Sequence, residues 1–225
     1  MRLSIVIPVL NEAAGIAPAL ERLAPLRRGG AEVIVADGGS TDATASLAAP
    51  HCDRVIVAPR GRAAQMNAGA AAASGDAILF LHADTQLPAG ADRLIRDGLA
   101  DGAHVWGRFD VTIDGPPALA IVGRMMNLRS RATGIATGDQ AIFVIRDAFE
   151  RAGRFPEIAL MEDIALSARL KNLSRPLCLS ARAVTSGRRW QRHGVLRTIL
   201  LMWRLRFDYW RGADPQDLAR RYADR

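Results

Sequence analysis

The sequence predicts a single α/β domain with a mostly parallel central sheet flanked by helices, followed by a helical C-terminal segment. Three observations carry this reading. Apolar runs of strand length alternate with helix-period stretches through the first half of the chain, the pattern of a βα repeat. Runs such as Ala77-Ile78-Leu79-Phe80-Leu81 are continuously apolar, as expected of fully buried strands. The charge is also unevenly placed. Residues 182–225 carry eleven Arg against four Asp, whereas residues 1–181 balance nineteen basic against nineteen acidic side chains.

The elements follow in order. Residues 3–9 read as the first strand, and Ile16, Leu20 and Leu23 mark the helix after it. Residues 31–36 form a second strand that runs into Asp37-Gly38-Gly39-Ser40-Thr41-Asp42, a turn sequence with helix-capping side chains. A short helix over 44–49, a third strand over 54–58, an Ala-rich helix over 62–74 and a fourth strand over 77–81 complete the repeat. The second half changes character. Residues 104–113 alternate like a half-exposed strand, 118–132 look helical, 141–146 read as a strand and 162–172 as a helix. Beyond about residue 183 the chain is basic, with helices expected over 194–211 and 215–223. Asp214-Pro215 supplies an N-cap and first-turn pair for the latter. The expected division is a domain over 1–181 and a helical segment over 182–225, with no clear linker between.

Composition narrows the class. With 225 residues, 49% hydrophobic and 24% charged, the chain suits one folded domain with a large core. The apolar run after Met1-Arg2 stops by Pro8, too short for a signal peptide. No stretch reaches the roughly 18 apolar residues of a membrane-spanning helix. Cys52 and Cys178 have no metal-ligand spacing and read as buried thiols of a reducing compartment, so a cytoplasmic location is expected. Lys171 is the sole lysine, a skew that reads as genomic codon bias. The first strand ends in Pro8-Val9-Leu10-Asn11-Glu12, with no glycine for close approach of a pyrophosphate, and there is no Walker A sequence. NAD, FAD and P-loop chemistry are therefore disfavoured.

Asp84 follows the buried run 77–81 directly, in Phe80-Leu81-His82-Ala83-Asp84-Thr85. A carboxylate at the carboxyl end of a strand in an open α/β sheet stands where such sheets bind ligands. A cation is its natural partner there; capping of the next helix is the other reading.

Several motifs together resemble family-2 glycosyltransferases, which have the GT-A fold. They are Ile5-Val6-Ile7-Pro8 with Asn11-Glu12, Val35-Ala36-Asp37-Gly38-Gly39-Ser40-Thr41-Asp42, and Gly61-Arg62-Ala63-Ala64-Gln65-Met66-Asn67-Ala68-Gly69. Phe80-Leu81-His82-Ala83-Asp84-Thr85, Gly153-Arg154-Phe155-Pro156 and Met161-Glu162-Asp163 complete the set in the family's order. The Leu-His-Ala-Asp-Thr and Leu-Met-Glu-Asp forms look like a short bacterial branch sometimes associated with arsenosugar biosynthesis. The resemblance spans about residues 3–172. It implies an inverting transfer of a sugar from a nucleotide-diphosphate donor to an acceptor nucleophile.

The resemblance also implies roles. Pro8, Glu12, Asp37 and Arg62 would hold the nucleotide, with Arg188 and Arg189 of Ser186-Gly187-Arg188-Arg189-Trp190 reaching the diphosphate. Relatives use an Asp-x-Asp pair on a divalent metal. Here His82 replaces the first acid, leaving Asp84 as the metal ligand and His82 as a donor contact. An imidazole would tilt the metal from Mg²⁺ towards Mn²⁺. Asp163 matches the family's general base, though acids in a first helical turn also simply complement the helix dipole. Adjacent helical positions diverge by about 100°, so one of Glu162 and Asp163 can face the site while the other faces away. Glu162 and Asp139, in the polar stretch 134–140, are acceptor-side candidates.

In the C-terminal segment, Arg197, Arg204, Asp208 and Arg211 fall at offsets of 7, 4 and 3, one stripe on a broadly apolar helix. Six of the twelve aromatic residues also lie after residue 181. An interfacial helix on an anionic membrane, at the inner face of the plasma membrane and serving a lipid-linked acceptor, fits this pattern. A helix packed on the domain, or a dimer contact, fits it equally. Nucleic acid is disfavoured, because residues 1–181 carry no net charge. The competing functions are a non-catalytic nucleotide-sugar or lipid-binding module and a sugar nucleotidyltransferase, whose Gly-rich loop after the first strand this chain lacks.

Overall fold

The computed structural model describes residues 1–223. Strands β1 (Leu3–Val9), β2 (Glu32–Asp37), β3 (Arg54–Val57) and β4 (Ala77–Phe80) form a parallel block in the order β3-β2-β1-β4. The sheet continues through β7 (Phe143–Ile145), β6 (Trp106–Asp114), β8 (Leu177–Ser186) and the short β5 (Thr85–Gln86). Of these, β7 runs antiparallel to both β4 and β6, while β6 and β8 are parallel. The sheet is thus parallel on one side and mixed on the other.

Helices cover both faces, and residues along β1 separate accordingly. Leu3, Ile5, Ile7 and Val9 join the core beneath α1 (Ile16–Glu21) and α5 (Ala91–Leu99). Val6 joins Ile78 and Phe80 in the opposite core, under α4 (Arg62–Ala72), α7 (Arg146–Arg151) and α8 (Glu162–Leu170). Burial on both faces is why these strands are continuously apolar. The small residues of α4 let it lie close on the sheet: a Cβ at Gly69 would come within 2.2 Å of Val6 Cγ1. The rings of Phe80, Phe149 and Phe155 pack together, and Asn67 exchanges two hydrogen bonds with the backbone of Phe155. The motifs around Asn67 and Phe155 therefore serve the core.

Several sequence expectations need correction. The helix after β1 breaks, and α2 (Ala24–Arg28) restarts with proline in its first turn. The strand expected over 141–146 is shorter, because Arg146 opens α7. Strand β6 is not half-exposed. It lies between β7 and β8, and α6 (Pro117–Thr133) covers it. Its polar residues form a buried network in which Arg108, 0% exposed, meets Asp110, Ser130 and Asn127. Strand β8 was not anticipated at all and runs through the expected 181/182 division. Its pairing with β6 shifts register between Phe109 and Asp110, which breaks the two-residue period a strand reading depends on.

After α3 (Thr44–Ala48) and α9 (Arg188–His193), the last long helices are α10 (Val195–Trp210) and α11 (Pro215–Ala223). They pack on the domain: Leu205 and Leu218 are buried against Leu160 and Met161. The opposite side of α10 is bare, with Leu196 76% and Trp210 80% exposed. Among the described residues no helix is long and apolar enough to cross a membrane.

Candidate active site

The order β3-β2-β1-β4 reverses direction at β1, so a crevice opens beyond the carboxyl ends of β1 and β4. A cavity of about 820 Å³ occupies this position. One wall is the end of β1 (Pro8, Val9, Leu10 and Glu12) with Arg62 and Gln65 of α4; another is His82-Ala83-Asp84 after β4. Glu162 and Asp163 enter at the start of α8, and α6, α10 and α11 close the far side.

Local packing sets each side chain. Gln65 is buried, and its amide donates to the carbonyls of Val9 and Ala36, tying the ends of β1 and β2 together. Met161 caps α8 with φ of 72°, a conformation uncommon for a residue with a side chain. Its side chain is buried with Leu205 and Leu218, so the C-terminal helices hold the turn that aims Glu162 and Asp163. Both acids line the cavity, where α8 begins.

The short turn at Gly138–Gln140 joins the two sides of the site. The Gly138 N–H donates to Asp163 Oδ2 at 2.9 Å, and Asp139 lies 3.6 Å from His82 Nδ1. A Cβ at Gly138 would fall 2.4 Å from the imidazole. Desolvation pulls the Asp139 carboxyl upward most strongly, but His82 together with the charges of Arg62 and Arg206 outweighs it and holds the group below its usual range.

The remaining charges are unevenly matched. Arg62 pairs with buried Glu162 at 3.4 Å. Burial, then the adjacent Asp163, raises the Glu162 pKa against the opposing pull of Arg62. Arg188 stands 3.9 Å from Asp84 and is 74% exposed, while Arg189 donates to the Tyr222 carbonyl and lies over its ring. Burial and the nearby Asp84 raise the Glu12 pKa despite Arg188. Asp37 is buried and outside the cavity lining. It accepts from the Ser40 hydroxyl at 2.5 Å and from the Ser40 N–H, and Ser40 Oγ accepts from the Asn11 N–H. Asp37 thus braces the loop after β2 against the tip of β1.

No cluster of three metal-ligating side chains occurs among the described residues. Asp84 and Glu12 nevertheless share the cavity and sense one another's charge. One or two carboxylates completed by substrate phosphates are an ordinary Mg²⁺ or Mn²⁺ site, so these residues fit a metal carried in with a diphosphate.

Among the cavity residues that the motifs do not indicate are Arg129 of α6 and Arg206 of α10. Arg206 lies off the Arg197, Arg204 and Arg211 stripe, beside buried Leu205; that displacement was the available clue.

Residues 4–151 match the family model described as glycosyl transferase family 2. A PGL/p-HBAD biosynthesis glycosyltransferase of Mycobacterium tuberculosis is 39% identical over 108 residues, covering 45% of this chain and 42% of that protein. The match thus spans less than half of the relative's length. Among solved structures, S. aureus TarS 1-349 in complex with UDP-GlcNAc aligns with a TM-score of 0.68 at 18% identity, over 83% of this chain and 58% of that one. A mannosyltransferase from Pyrobaculum calidifontis in complex with GDP-Man and Mn²⁺ aligns with a TM-score of 0.60 at 22% identity, over 81% of this chain and 56% of that one. These structures share the GT-A-type fold with this chain.

Proposed function

We propose that this chain, which belongs to glycosyl transferase family 2 and is an enzyme of that kind, moves a sugar from a nucleotide-diphosphate donor to an acceptor hydroxyl with inversion. The observation that carries this is one cavity at the sheet's switch point holding Asp84 and Asp163 on opposite walls, linked through His82 and the turn at Gly138–Gln140. The donor nucleotide lies along Pro8, Glu12 and Arg62, with Asp37 acting through the loop it braces. Asp84, with Glu12 in support, would hold a divalent metal on the diphosphate, which would stabilise the leaving group as a Lewis acid. A metal-bound donor in the Pyrobaculum neighbour supports that reading.

The chain's own residues account for the remaining chemistry. The acceptor oxygen attacks the anomeric carbon from the face opposite the diphosphate, so the configuration inverts. As the new C–O bond forms, the bond to the diphosphate breaks and its electron pair leaves with the phosphate. The acceptor proton passes to Asp163. Exposed Arg188 is free to leave Asp84 for the departing diphosphate. Arg189, fixed on Tyr222, holds α11 over the same end. Asp139 and Glu162 frame the acceptor side and keep His82 and Arg62 in place.

Asp84→Asn tests the donor site. Calorimetry with UDP and GDP should show that Mn²⁺ strengthens binding to the wild type and not to the variant. An undiminished metal effect in folded Asp84→Asn would remove Asp84 from this role.

The Gly138 turn gives a second test. In Gly138→Ala the new methyl must displace the His82 imidazole or move the N–H from Asp163. Turnover is expected to fall on the order of 10²-fold, the cost of misplacing reacting groups by about 1 Å. Wild-type turnover in a variant with an unchanged melt would show that the turn is not part of the machinery.

Helix α6, which carries exposed Ile121, Met125 and Leu128, and helix α10, with its bare apolar stripe, both line the cavity. Their exposed face rests on an anionic bilayer, at the inner face of the plasma membrane, with its arginines toward the lipid phosphates.

A further inference from the structure

Most charged groups lining the cavity find partners among the described residues. Arg62 meets Glu162, His82 meets Asp139, Arg189 lies on Tyr222, and Asp84 is reached by exposed Arg188 from outside the lining. Arg129 and Arg206 do not. Nε and Nη2 of Arg129 and Nε of Arg206 are shielded from solvent with no hydrogen-bond partner, and neither guanidinium makes an ion pair. They also repel one another. Desolvation, then the charge of Arg206, lowers the Arg129 pKa to about 10, so it stays cationic at neutral pH. Burial likewise lowers Arg206, against the pull of Asp163 and Asp139. Two half-buried cations that repel one another, with guanidinium nitrogens shielded and unsatisfied, are costly unless an anion completes them.

The position of the pair identifies which substrate brings the anion. The metal-ligand and nucleotide candidates Asp84, Glu12 and Pro8 lie at the β1 and β4 end, whereas Arg129 and Arg206 come from α6 and α10 on the far side. The Asp163 charge acts on both guanidiniums without forming an ion pair with either, so they flank the acceptor side of the proposed base. Between them and the exposed stripes the wall is apolar: Met125 and Met126 from α6, Ile199, Met202 and Trp203 from α10.

Resting on the glycosyltransferase reading above, we propose that Arg129 and Arg206 form an anion subsite for the acceptor, and that the acceptor is an amphiphile carrying a phosphate on a hydrocarbon chain in addition to the hydroxyl that attacks the sugar. Phosphate matches the pair best. A monoester carries about −1.5 to −2 charge at neutral pH and offers three acceptor oxygens to two guanidinium forks. The methionine and tryptophan wall takes the first carbons of the chain, and the exposed face of α6 and α10 leads the remainder into the bilayer.

The probe is dodecyl phosphate, titrated below its micelle concentration into the full chain while tryptophan fluorescence is followed; Trp190 and Trp203 line the cavity. Dodecyl maltoside and inorganic phosphate serve as the apolar-only and anion-only comparisons, and UDP and GDP with Mn²⁺ as donor-site probes. Dodecyl phosphate should bind more tightly than either comparison. Arg129→Gln and Arg206→Gln should each weaken it about ten- to hundredfold, the loss of charge-assisted hydrogen bonds, with nucleotide affinity unchanged. Both variants remove an unpaired buried cation and should melt at or above wild type. If one does not fold, Arg→Lys at that position keeps the charge, loses the planar fork and should show the same direction of loss. Dodecyl maltoside binding as tightly as the phosphate, variants that keep dodecyl phosphate affinity, or variants that lose nucleotide affinity instead would overturn the subsite. Arginine-dependent binding of dodecyl phosphate by a chain that binds no nucleotide would support the anion subsite and count against the glycosyltransferase reading alone.

Discussion

Replacing Asp163 by Asn is expected to slow sugar transfer about 10²–10⁴-fold while leaving nucleotide affinity intact. That is roughly 3–5 kcal/mol of barrier. The substitution is nearly isosteric, and the Asn carbonyl can still accept the Gly138 N–H, so the turn that holds His82 stays in place. What is lost is the capacity to take the acceptor proton. Glu162 is the less accessible of the two acids. Burial raises its pKa, but the carboxylate is buried and engaged with Arg62 rather than open to an acceptor hydroxyl. Among the described residues Asp163 makes no ion pair, and it lines the cavity. Single-turnover rates with donor prebound separate chemistry from binding. A rate within about tenfold of wild type would move the proton to another group, with Glu162 the next to replace.

The parallel half of the fold was legible because β1, β2 and β4 are buried almost throughout, with only the edge strand β3 partly exposed. The run 77–81 could be little else, and the turn after it led directly to His82 and Asp84. The mixed half was less legible because tertiary contacts override the local pattern. Arg108 and Asp110 look solvent-facing in sequence, yet α6 buries them as a network with Ser130 and Asn127. Strand β8 hid behind a register shift. Within the site, most of the predicted residues fell together at the cavity; Asp37 is bound within its own loop, and exposed Arg188 reaches Asp84 from outside the lining. Arg129 and Arg206 were not legible because each belongs to a helix whose relevant face is defined by packing against the domain. Nothing in the linear order shows that α6 and α10 converge over Asp163. The same packing means that the C-terminal segment is part of the site: Leu205 and Leu218 bury Met161, whose strained turn aims the proposed base.

Membrane docking is expected to depend on α10 far more than on the rest of the surface. Leu196, Leu200, Trp203, Phe207 and Trp210 are all exposed and follow offsets of 4, 3, 4 and 3, one apolar face over the length of the helix. Arg197, Arg204 and Arg211 form a second stripe about 80° away, the arrangement that lets arginines reach lipid phosphates while the apolar face enters the interface. Each well-placed arginine contributes about 1 kcal/mol on an anionic surface, so replacing all three by Gln should cost about 3 kcal/mol, more than about a hundredfold in partitioning. That part should fade with ionic strength. Trp203→Ser with Trp210→Ser should remove a salt-insensitive part that persists on neutral lipid. Neither set touches Leu205 or Leu218, so the helix stays packed on the domain. Liposome co-sedimentation with neutral and anionic vesicles, at low and high salt, reads both effects. Wild-type protein that stays in the supernatant on anionic vesicles at low salt would reject docking. In that case a concentration-dependent dimer, lost in the tryptophan variants, would assign the bare face to a second copy of the chain.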